Sequence, residues 1–289
     1  MFGKIGISTK SNGESFTMKI SCCVFDLDGT LLTSKNHISE TDKKTLRDLS
    51  TQGVKIIIAT GRTNLQIAEY IYELGISDPV ITCNGGYILN TGTGEVLHCK
   101  YILAEDMKSL LCYLADSSLD YLLYTTECVY HSLSSERIKF YLDYNKTAPE
   151  AFRVPILPIS ELPENKRCFD ILKVLIHDDP AIIPSLEERF NKNNTLTIIT
   201  SGPNLIDIMP SDTTKGNGIR ILADYLNIPI SEIVAFGDSP NDESMLKAAG
   251  YSVAMGNAVD SIKNICNFVT KTNDEYGITY ALNHIINEI

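Results

Sequence analysis

The sequence predicts an α/β fold that is interrupted by a second, differently built segment. From Lys19 to Gly86, continuous apolar runs alternate with amphipathic helical patterns, and the same alternation resumes at Lys215. Such alternation is typical of a parallel sheet with right-handed helical crossovers. Between the two stretches, helices mix with strands that are mostly adjacent in the sequence, which favours an α+β arrangement. We therefore expect a Rossmann-like parallel sheet core with helices on both faces, plus an inserted α+β cap domain.

The first part of the core contains three strand patterns separated by helices. "KISCCVFD" is a continuous apolar run with β-branched and aromatic residues, as expected for a strand covered on both faces. Ser39 then opens a helix that has Glu40 and Asp42 in its first turn. "VKIIIAT" is the second strand, a helical pattern follows it and stops at Gly75, and "PVITCNGG" is the third strand.

The same kinds of sequence pattern predict the helices and strands of the inserted segment and of the second part of the core. Residues 95–102 and 120–132 predict hairpin-forming strands, with a helix over Ala104–Ser117 between them. From Lys215 we expect a helix to Leu226, the strand "IVAFGD", a helix through Ala249, the strand "YSVAM" and terminal helices. We assign residues 1–18 to a loose N-terminal extension, residues 19–86 and 210–289 to the core, and residues 87–209 to the inserted cap.

The composition argues against two classes of binding partner, nucleic acids and membranes. A formal charge of −11 argues against a nucleic-acid backbone or an anionic membrane surface as the main partner. No apolar run approaches the roughly 18–20 residues that a membrane helix needs. The eight cysteines form no CxxC pair, so we expect reduced thiols and a cytoplasmic protein. Nothing in the sequence fixes an oligomeric state.

Polar residues follow several predicted core strands at the point where each strand ends. In open α/β sheets, ligands bind at this carboxyl edge. The residues expected there are Asp26, Asp28, Thr60, Asn84, Gly85, Gly86, Gly237, Asp238, Asn241 and Asp242, with Lys215 at the start of the helix that follows the insertion.

Crowded acids at this edge point to a cation. Asp26 and Asp28 are two apart on a strand, so they share a face and repel unless a positive charge compensates. Asp238 adds a third carboxylate from another strand, and such an oxygen-rich set suits Mg²⁺, which also binds substrate phosphates. Lys215 and the Thr60 hydroxyl would complement a phosphoryl group, with backbone N–H groups near Gly29 and Thr30.

Each of these residues has an ordinary structural interpretation when it is taken alone. An Asp-Gly pair is usually a turn, and Asp238-Ser239-Pro240 can simply begin a helix. Their order along one predicted sheet edge is what favours a site. Other catalytic patterns are absent from the sequence: it contains no GxxxxGK[ST] phosphate loop, no GxSxG and no histidines at metal-ligand spacing.

Four segments resemble the motifs of the haloacid dehalogenase superfamily. They are "DLDGT" at Asp26–Thr30, "ATGR" at Ala59–Arg62, "KG" at Lys215-Gly216 and "GDSPND" at Gly237–Asp242. The large insertion between the second and third motifs, together with "ITCNGGYI", is similar to the Cof-like, or IIB, branch of that superfamily. The likeness extends from Lys19 to the C-terminus.

The resemblance implies a role for each motif residue. Asp26 would be the nucleophile and Asp28 the general acid–base. Mg²⁺ would be held by the carboxylates of Asp26 and Asp238 and by the backbone carbonyl of Asp28, with Asp242 supporting the metal site. Phosphate would be bound by Gly29, Thr30, Thr60, Gly61, Lys215 and Asn241, and Asn241 would help to position Lys215. Arg62, Asn84 and Gly85 are candidate substrate-binding residues.

These expectations describe an enzyme: a Mg²⁺-dependent phosphatase that hydrolyses small phosphate monoesters, above all sugar phosphates, through an aspartyl-phosphate. The partner is then a small phosphorylated metabolite rather than a nucleic acid or a membrane. Two alternatives stay open at this point. One is a phosphomutase of the phosphomannomutase type, and the other is a non-catalytic regulator that binds a phosphorylated metabolite.

Overall fold

The computed structural model describes residues 6–11, 14–163 and 170–287 of the chain. Strands and helices alternate over much of this length. The strands are β1 (Gly6–Ser11), β2 (Glu14–Lys19), β3 (Cys22–Phe25), β4 (Lys55–Ile58), β5 (Pro79–Thr82), β6 (Tyr87–Asn90), β7 (Val96–Cys99), β8 (Asp120–Tyr124), β9 (Val129–His131), β10 (Ile156–Pro158), β11 (Lys173–His177), β12 (Leu196–Gly202), β13 (Leu205–Pro210), β14 (Ile233–Gly237), β15 (Tyr251–Ala254) and β16 (Phe268–Val269). The helices are α1 (Glu40–Thr51), α2 (Ala68–Leu74), α3 (Ala104–Asp116), α4 (Ile138–Thr147), α5 (Ile183–Phe190), α6 (Lys215–Leu226), α7 (Glu243–Ala248), α8 (Asp260–Lys263) and α9 (Gly277–Asn287).

The chain divides into two compact units. The core unit contains the chain up to Gly61, Tyr70–His98 and everything from Thr214 onward. The inserted unit contains Arg62–Glu69 and Cys99–Thr213. The break at 98/99 lies beyond the boundary that we placed at 86/87, because β6 and most of β7 join the core unit through β5. The break at 213/214 lies a few residues beyond the boundary that we placed at 209/210.

A five-stranded parallel sheet, in the order β16-β15-β14-β3-β4, forms the centre of the core unit. Every residue of β3 is buried, which explains its uninterrupted apolar sequence. On one face of the sheet, Val24 and Ala235 pack with residues of α6, α7 and α8. On the other face the rings of Phe25 and Phe236 stack with their centroids 4.7 Å apart. The predicted α/β core is therefore confirmed.

The third predicted strand joins the core in a different way from the first two. β5 pairs antiparallel with β6, which leads on to β7 in a separate three-stranded sheet. It meets the end of β4 through a single parallel bridge between Ala59 and Ile81. The chain reverses after β5, and the returning strand β6 pairs with it in the register Thr82 opposite Tyr87.

The inserted unit is built on a six-stranded, mostly antiparallel sheet in the order β10-β9-β8-β11-β13-β12. α3 and α5 cover one face through Leu110 and Leu186. Tyr141 of α4 packs on the other face together with Leu65. The α+β character predicted for this region is present. The segment Arg62–Glu69 also belongs to the inserted unit, through long-range contacts that no local sequence pattern predicts.

The N-terminal region differs from the loose extension that we expected. β1 and β2 form a regular antiparallel hairpin, with Gly6 opposite Lys19 and Ser11 opposite Glu14. The prediction of a loose segment was therefore wrong for the described part of it, whereas residues 1–5 and 12–13 lie outside the described ranges.

The described residues also bear on the state of the cysteines and on membrane-spanning helices. The seven cysteines found there, all except Cys168, are free thiols. None of the helices in the described ranges is both long and apolar enough to cross a membrane.

Candidate active site

Asp26 stands directly after β3, at the carboxyl edge of the parallel sheet. Its N–H donates to the carbonyl of Phe236 at 3.0 Å, which continues the sheet's hydrogen bonding past the end of the strand. The N–H of Leu31 donates back to the Asp26 carbonyl at 3.2 Å and closes the following loop. The side chain of Asp26 is buried, with 4% of the residue exposed. The sequence thus places one carboxylate at a fixed, water-poor position.

Asp238 follows β14, the neighbouring strand, and meets the loop after Asp26. The hydroxyl of Thr30 donates to Asp238 Oδ1 at 2.9 Å. Gly29 has a φ of +81°, and a Cβ at that position would lie 2.5 Å from Asp238 Oδ2. Only glycine satisfies both the backbone conformation and the close approach of this carboxylate.

Lys215, the first residue of α6, is completely buried between two acids. Its Nζ donates to Asp242 Oδ1 at 2.6 Å and also to Asp26 Oδ1. The helix begins here because the hydroxyl of Thr214 accepts from the N–H of Asn217 at 3.1 Å. The predicted helix over Lys215–Leu226 has the predicted bounds.

Asp242 uses both of its carboxylate oxygens inside the site. Oδ1 accepts from Lys215, and Oδ2 accepts from the N–H groups of Asp238 and Ser239 at 2.9 and 3.0 Å. A charged acceptor that is bonded in this way fixes the loop after β14 and the direction of the lysine. Asp242 therefore positions both Lys215 and the loop that carries Asp238.

The acids crowd one another. Asp26, Asp238 and Asp242 each offer a carboxylate oxygen, and these three atoms lie within 4.8 Å of one another. Burial, and then the charge of Asp242, raises the pKa of Asp26 well above its usual range, although Lys215 opposes this. The same two causes raise the pKa of Asp238 to about 6. Burial works against the Lys215 ammonium, but Asp242 and Asp26 outweigh it and raise its pKa.

This set of oxygens fits a hard divalent cation. One ammonium stands among three buried or half-buried carboxylates, so a further positive charge would relieve the remaining repulsion. Oxygen donors from carboxylates are what Mg²⁺ prefers in proteins. Because both oxygens of Asp242 are already bonded, Asp26 and Asp238 are the better placed ligands.

Removing the charge of Asp238 should stabilise the metal-free protein. In EDTA at pH 7.5, above the raised pKa of this carboxyl, we expect Asp238→Asn to raise the melting temperature by about 2–4 °C. Mg²⁺ should stabilise the wild type and have little effect on the variant, which differential scanning fluorimetry would show. Asp48→Asn, at an exposed position of α1, is the matched control. A lower melting temperature with an undiminished response to Mg²⁺ would contradict this account of the site.

Thr60 and the loop after β5 complete the edge. Thr60 is buried at the end of β4, and its N–H donates to the Ile81 carbonyl at 2.9 Å. Its own carbonyl accepts from the N–H of Asn84 at 2.9 Å. Asn241, which we expected to help position Lys215 or the phosphate oxygens, donates from Nδ2 to Asn84 Oδ1 at 3.2 Å. Lys215 is positioned by the two acids, because they offer it stronger, charged acceptors.

Two of the sequence-predicted residues, Asp28 and Arg62, are not buried. Asp28 is exposed, yet its charge contributes to the raised pKa of Asp238. Arg62 groups with the inserted unit, whereas Thr60 and Gly61 group with the core unit.

Two functional contacts were missed by sequence reasoning. Asn257 donates from Nδ2 to the carbonyl of Gly29 at 2.8 Å, and Ser244 Oγ accepts from the N–H of Gly216 at 3.0 Å. Asn257 comes shortly after the strand "YSVA", so its place behind a core strand was a usable signal. Ser244 lies inside a helix, and nothing in the sequence marks it.

Comparison with known proteins gives consistent matches over most of the chain. A family model described as haloacid dehalogenase-like hydrolase matches residues 23–282. Phosphatase YwpJ of Bacillus subtilis is 31% identical over 90% of this chain and 98% of its own length. The 5-amino-6-(5-phospho-D-ribitylamino)uracil phosphatase YwtE of the same species is 30% identical over 92% and 98%. A solved structure, the HAD subclass IIB sugar phosphatase BT4131, has a TM-score of 0.78 and 25% identity, over 91% of this chain and 98% of that one.

Proposed function

Since the chain belongs to the haloacid dehalogenase-like hydrolases, we propose that it is a Mg²⁺-dependent phosphatase that hydrolyses small phosphate monoesters through an aspartyl-phosphate. The observation that carries the proposal is the convergence of Asp26, Asp238 and the buried Lys215 at one edge of the parallel sheet. Free cysteines among the described residues support a reducing, cytoplasmic location.

Asp26 acts as the nucleophile. Its carboxylate oxygen forms a bond to phosphorus while the bond from phosphorus to the ester oxygen breaks, and Asp28 gives its proton to the departing alcohol. Asp28, now ionised, then takes a proton from a water molecule that attacks phosphorus. Inorganic phosphate leaves, and the Asp26 carboxylate and the Asp28 acid are restored. Splitting hydrolysis in this way replaces one difficult displacement by two easier ones.

The remaining residues hold the phosphoryl group. Lys215 supplies a fixed positive charge, and Thr60 supplies a hydroxyl at the end of the adjacent strand. Backbone N–H groups of Gly29 and Thr30 complete the set that we assign to phosphate, together with Gly61 and Asn241. Groups that are already oriented stabilise the developing charge without having to reorganise, and this is the main source of catalysis in phosphoryl transfer.

Mg²⁺ is the cofactor that we assign to the carboxylates of Asp26 and Asp238 and the backbone carbonyl of Asp28, with Asp242 in support. When bound, the ion would neutralise part of the carboxylate charge and draw electron density from the phosphoryl oxygens. Asp26 needs such compensation, because burial and Asp242 otherwise favour its protonated form, which is a poor nucleophile.

The substrate class that we propose is a phosphate ester of a polyhydroxylated carbon chain, above all a sugar phosphate. One relative is named for a phosphorylated ribityl compound and one structural neighbour is named a sugar phosphatase. Both names describe a phosphate on a chain or ring rich in hydroxyl groups. Arg62 and Gly85 stay candidates for recognising the leaving group.

Phosphate release from a panel of phosphorylated metabolites tests the proposal. We expect turnover of several sugar phosphates with Mg²⁺, complete loss of it in EDTA, and recovery when Mg²⁺ is added back, because the carboxylates require a counter-charge. Isomer formation without free phosphate would favour a phosphomutase. Binding without any turnover would favour a metabolite-binding regulator, and full activity in EDTA would contradict the assigned metal site.

A further inference from the structure

The loop that follows β5 has an unusual backbone. Cys83, Asn84 and Gly85 are consecutive and all have positive φ, at +50°, +54° and +103°. Residues with side chains adopt this region rarely, and such conformations persist where surrounding contacts enforce them. Cys83 and Asn84 are both buried, so the surrounding protein fixes this loop.

The loop contacts the segment that carries Thr60. The N–H of Asn84 donates to the carbonyl of Thr60 at 2.9 Å. At Gly61 an added Cβ would lie 3.1 Å from Asn84 Oδ1, so the absence of a side chain there leaves room for the Asn84 amide. The backbone of Asn84 is therefore bonded to Thr60, and its side chain lies beside the next residue, Gly61.

The same loop contacts the two other phosphate-handling segments. Asn84 Oδ1 accepts from Asn241 Nδ2 at 3.2 Å. At Gly85 an added Cβ would lie 2.3 Å from the carbonyl of Thr214, the residue just before Lys215. One short loop thus touches the chain at Thr60, at the start of the Lys215 helix and at Asn241.

We propose that Asn84 is a positioning residue that sets Thr60 and Asn241 in register with Lys215, rather than a residue that recognises the leaving group. The proposal rests on the phosphate site described above. Asn is suited to the task because it tolerates a left-handed backbone and its side-chain oxygen reaches a neighbouring loop. Misplacement of phosphate ligands by a fraction of an ångström weakens every phosphoryl transfer, whatever alcohol leaves.

The test is Asn84→Gly, which removes the side-chain amide and leaves a residue that adopts a positive φ without steric strain. Asn227→Gly is the matched control, because Asn227 has a φ of +52° at the end of α6 in the same unit. Both variants are compared with the wild type in melting temperature, in kcat/KM for p-nitrophenyl phosphate and for a hexose phosphate, and in the affinity for inorganic phosphate with Mg²⁺. Phosphate has no leaving group, so its affinity does not depend on recognition of the alcohol, and it can be measured without turnover.

We expect Asn84→Gly to lose about 100-fold in kcat/KM, equally for both esters, and to bind phosphate more weakly at an unchanged melting temperature. Asn227→Gly should match the wild type. Asn241→Ala combined with Asn84→Gly should cost little more than the worse single variant, because both remove the same hydrogen bond.

Three results would overturn the proposal: a loss confined to the hexose phosphate with normal phosphate affinity, a lower melting temperature with normal kinetics, or additive effects of the two substitutions. If the wild type binds phosphate but hydrolyses no ester, the proposed function fails, and the phosphate affinities of the same variants still decide the role of Asn84.

Discussion

Asp26→Asn should abolish phosphate release, lowering kcat by at least about four orders of magnitude for every substrate of the wild type. The amide cannot form the covalent bond to phosphorus, and no other carboxylate in the buried cluster can replace it. Asp242 is bonded through both oxygens, and Asp238 is held by Thr30 beside Gly29. Phosphate detection with the substrate that the wild type turns over best is the measurement.

The folded state of this variant should be intact. The Asn side chain keeps an oxygen that can accept from Lys215, and it removes a buried charge that repels Asp242. A melting temperature equal to or above that of the wild type would show this, with the exposed Asp48→Asn as reference. Residual activity within tenfold of the wild type would mean that another group is the nucleophile.

Lys215→Met should cost both stability and activity. The lysine is the cation that separates Asp26 from Asp242, and all three residues are buried. Removing one partner leaves uncompensated buried carboxylates, which typically costs about 3–5 kcal/mol. Urea unfolding in EDTA would measure the loss, and phosphate affinity should fall with it because the phosphoryl group loses its fixed charge.

A second substitution separates these two effects. In the Lys215→Met background, Asp242→Asn should recover part of the unfolding free energy, since one of the unpaired charges disappears. Activity should not return. If the double variant unfolds even more easily, the hydrogen bonds of Asp242 to the N–H groups of Asp238 and Ser239 would outweigh its charge, and the electrostatic explanation would be wrong.

Much of the fold could be predicted from local sequence patterns. The buried strand before Asp26 and the helix over Lys215–Leu226 were both predictable, because apolar periodicity and capping residues report directly on burial and on helix starts. The hairpin β1–β2 was missed because strand pairing is a contact between two segments, which the pattern of either segment alone does not show.

Long-range bonds account for what pattern could not predict. Arg62–Glu69 joins the inserted unit because Gln66 donates to the Tyr141 hydroxyl at 3.0 Å, across 75 residues of sequence. The hydrogen bond between Asn241 and Asn84 likewise joins segments that are far apart in the sequence, so no local pattern could predict it. The order of the acids indicated a site, but only three-dimensional contacts distinguish an acid that can bind metal from one already held by backbone and lysine.

A crystal structure of the protein with Mg²⁺ and beryllium fluoride would test the central claim most directly. Beryllium fluoride mimics a phosphoryl group bonded to a carboxylate. We predict beryllium attached to the Asp26 carboxylate, with the metal ion contacting Asp26 and Asp238 and the fluorides near Lys215 and Thr60. Beryllium bonded to a different residue, or an ion held away from Asp26 and Asp238, would contradict the account.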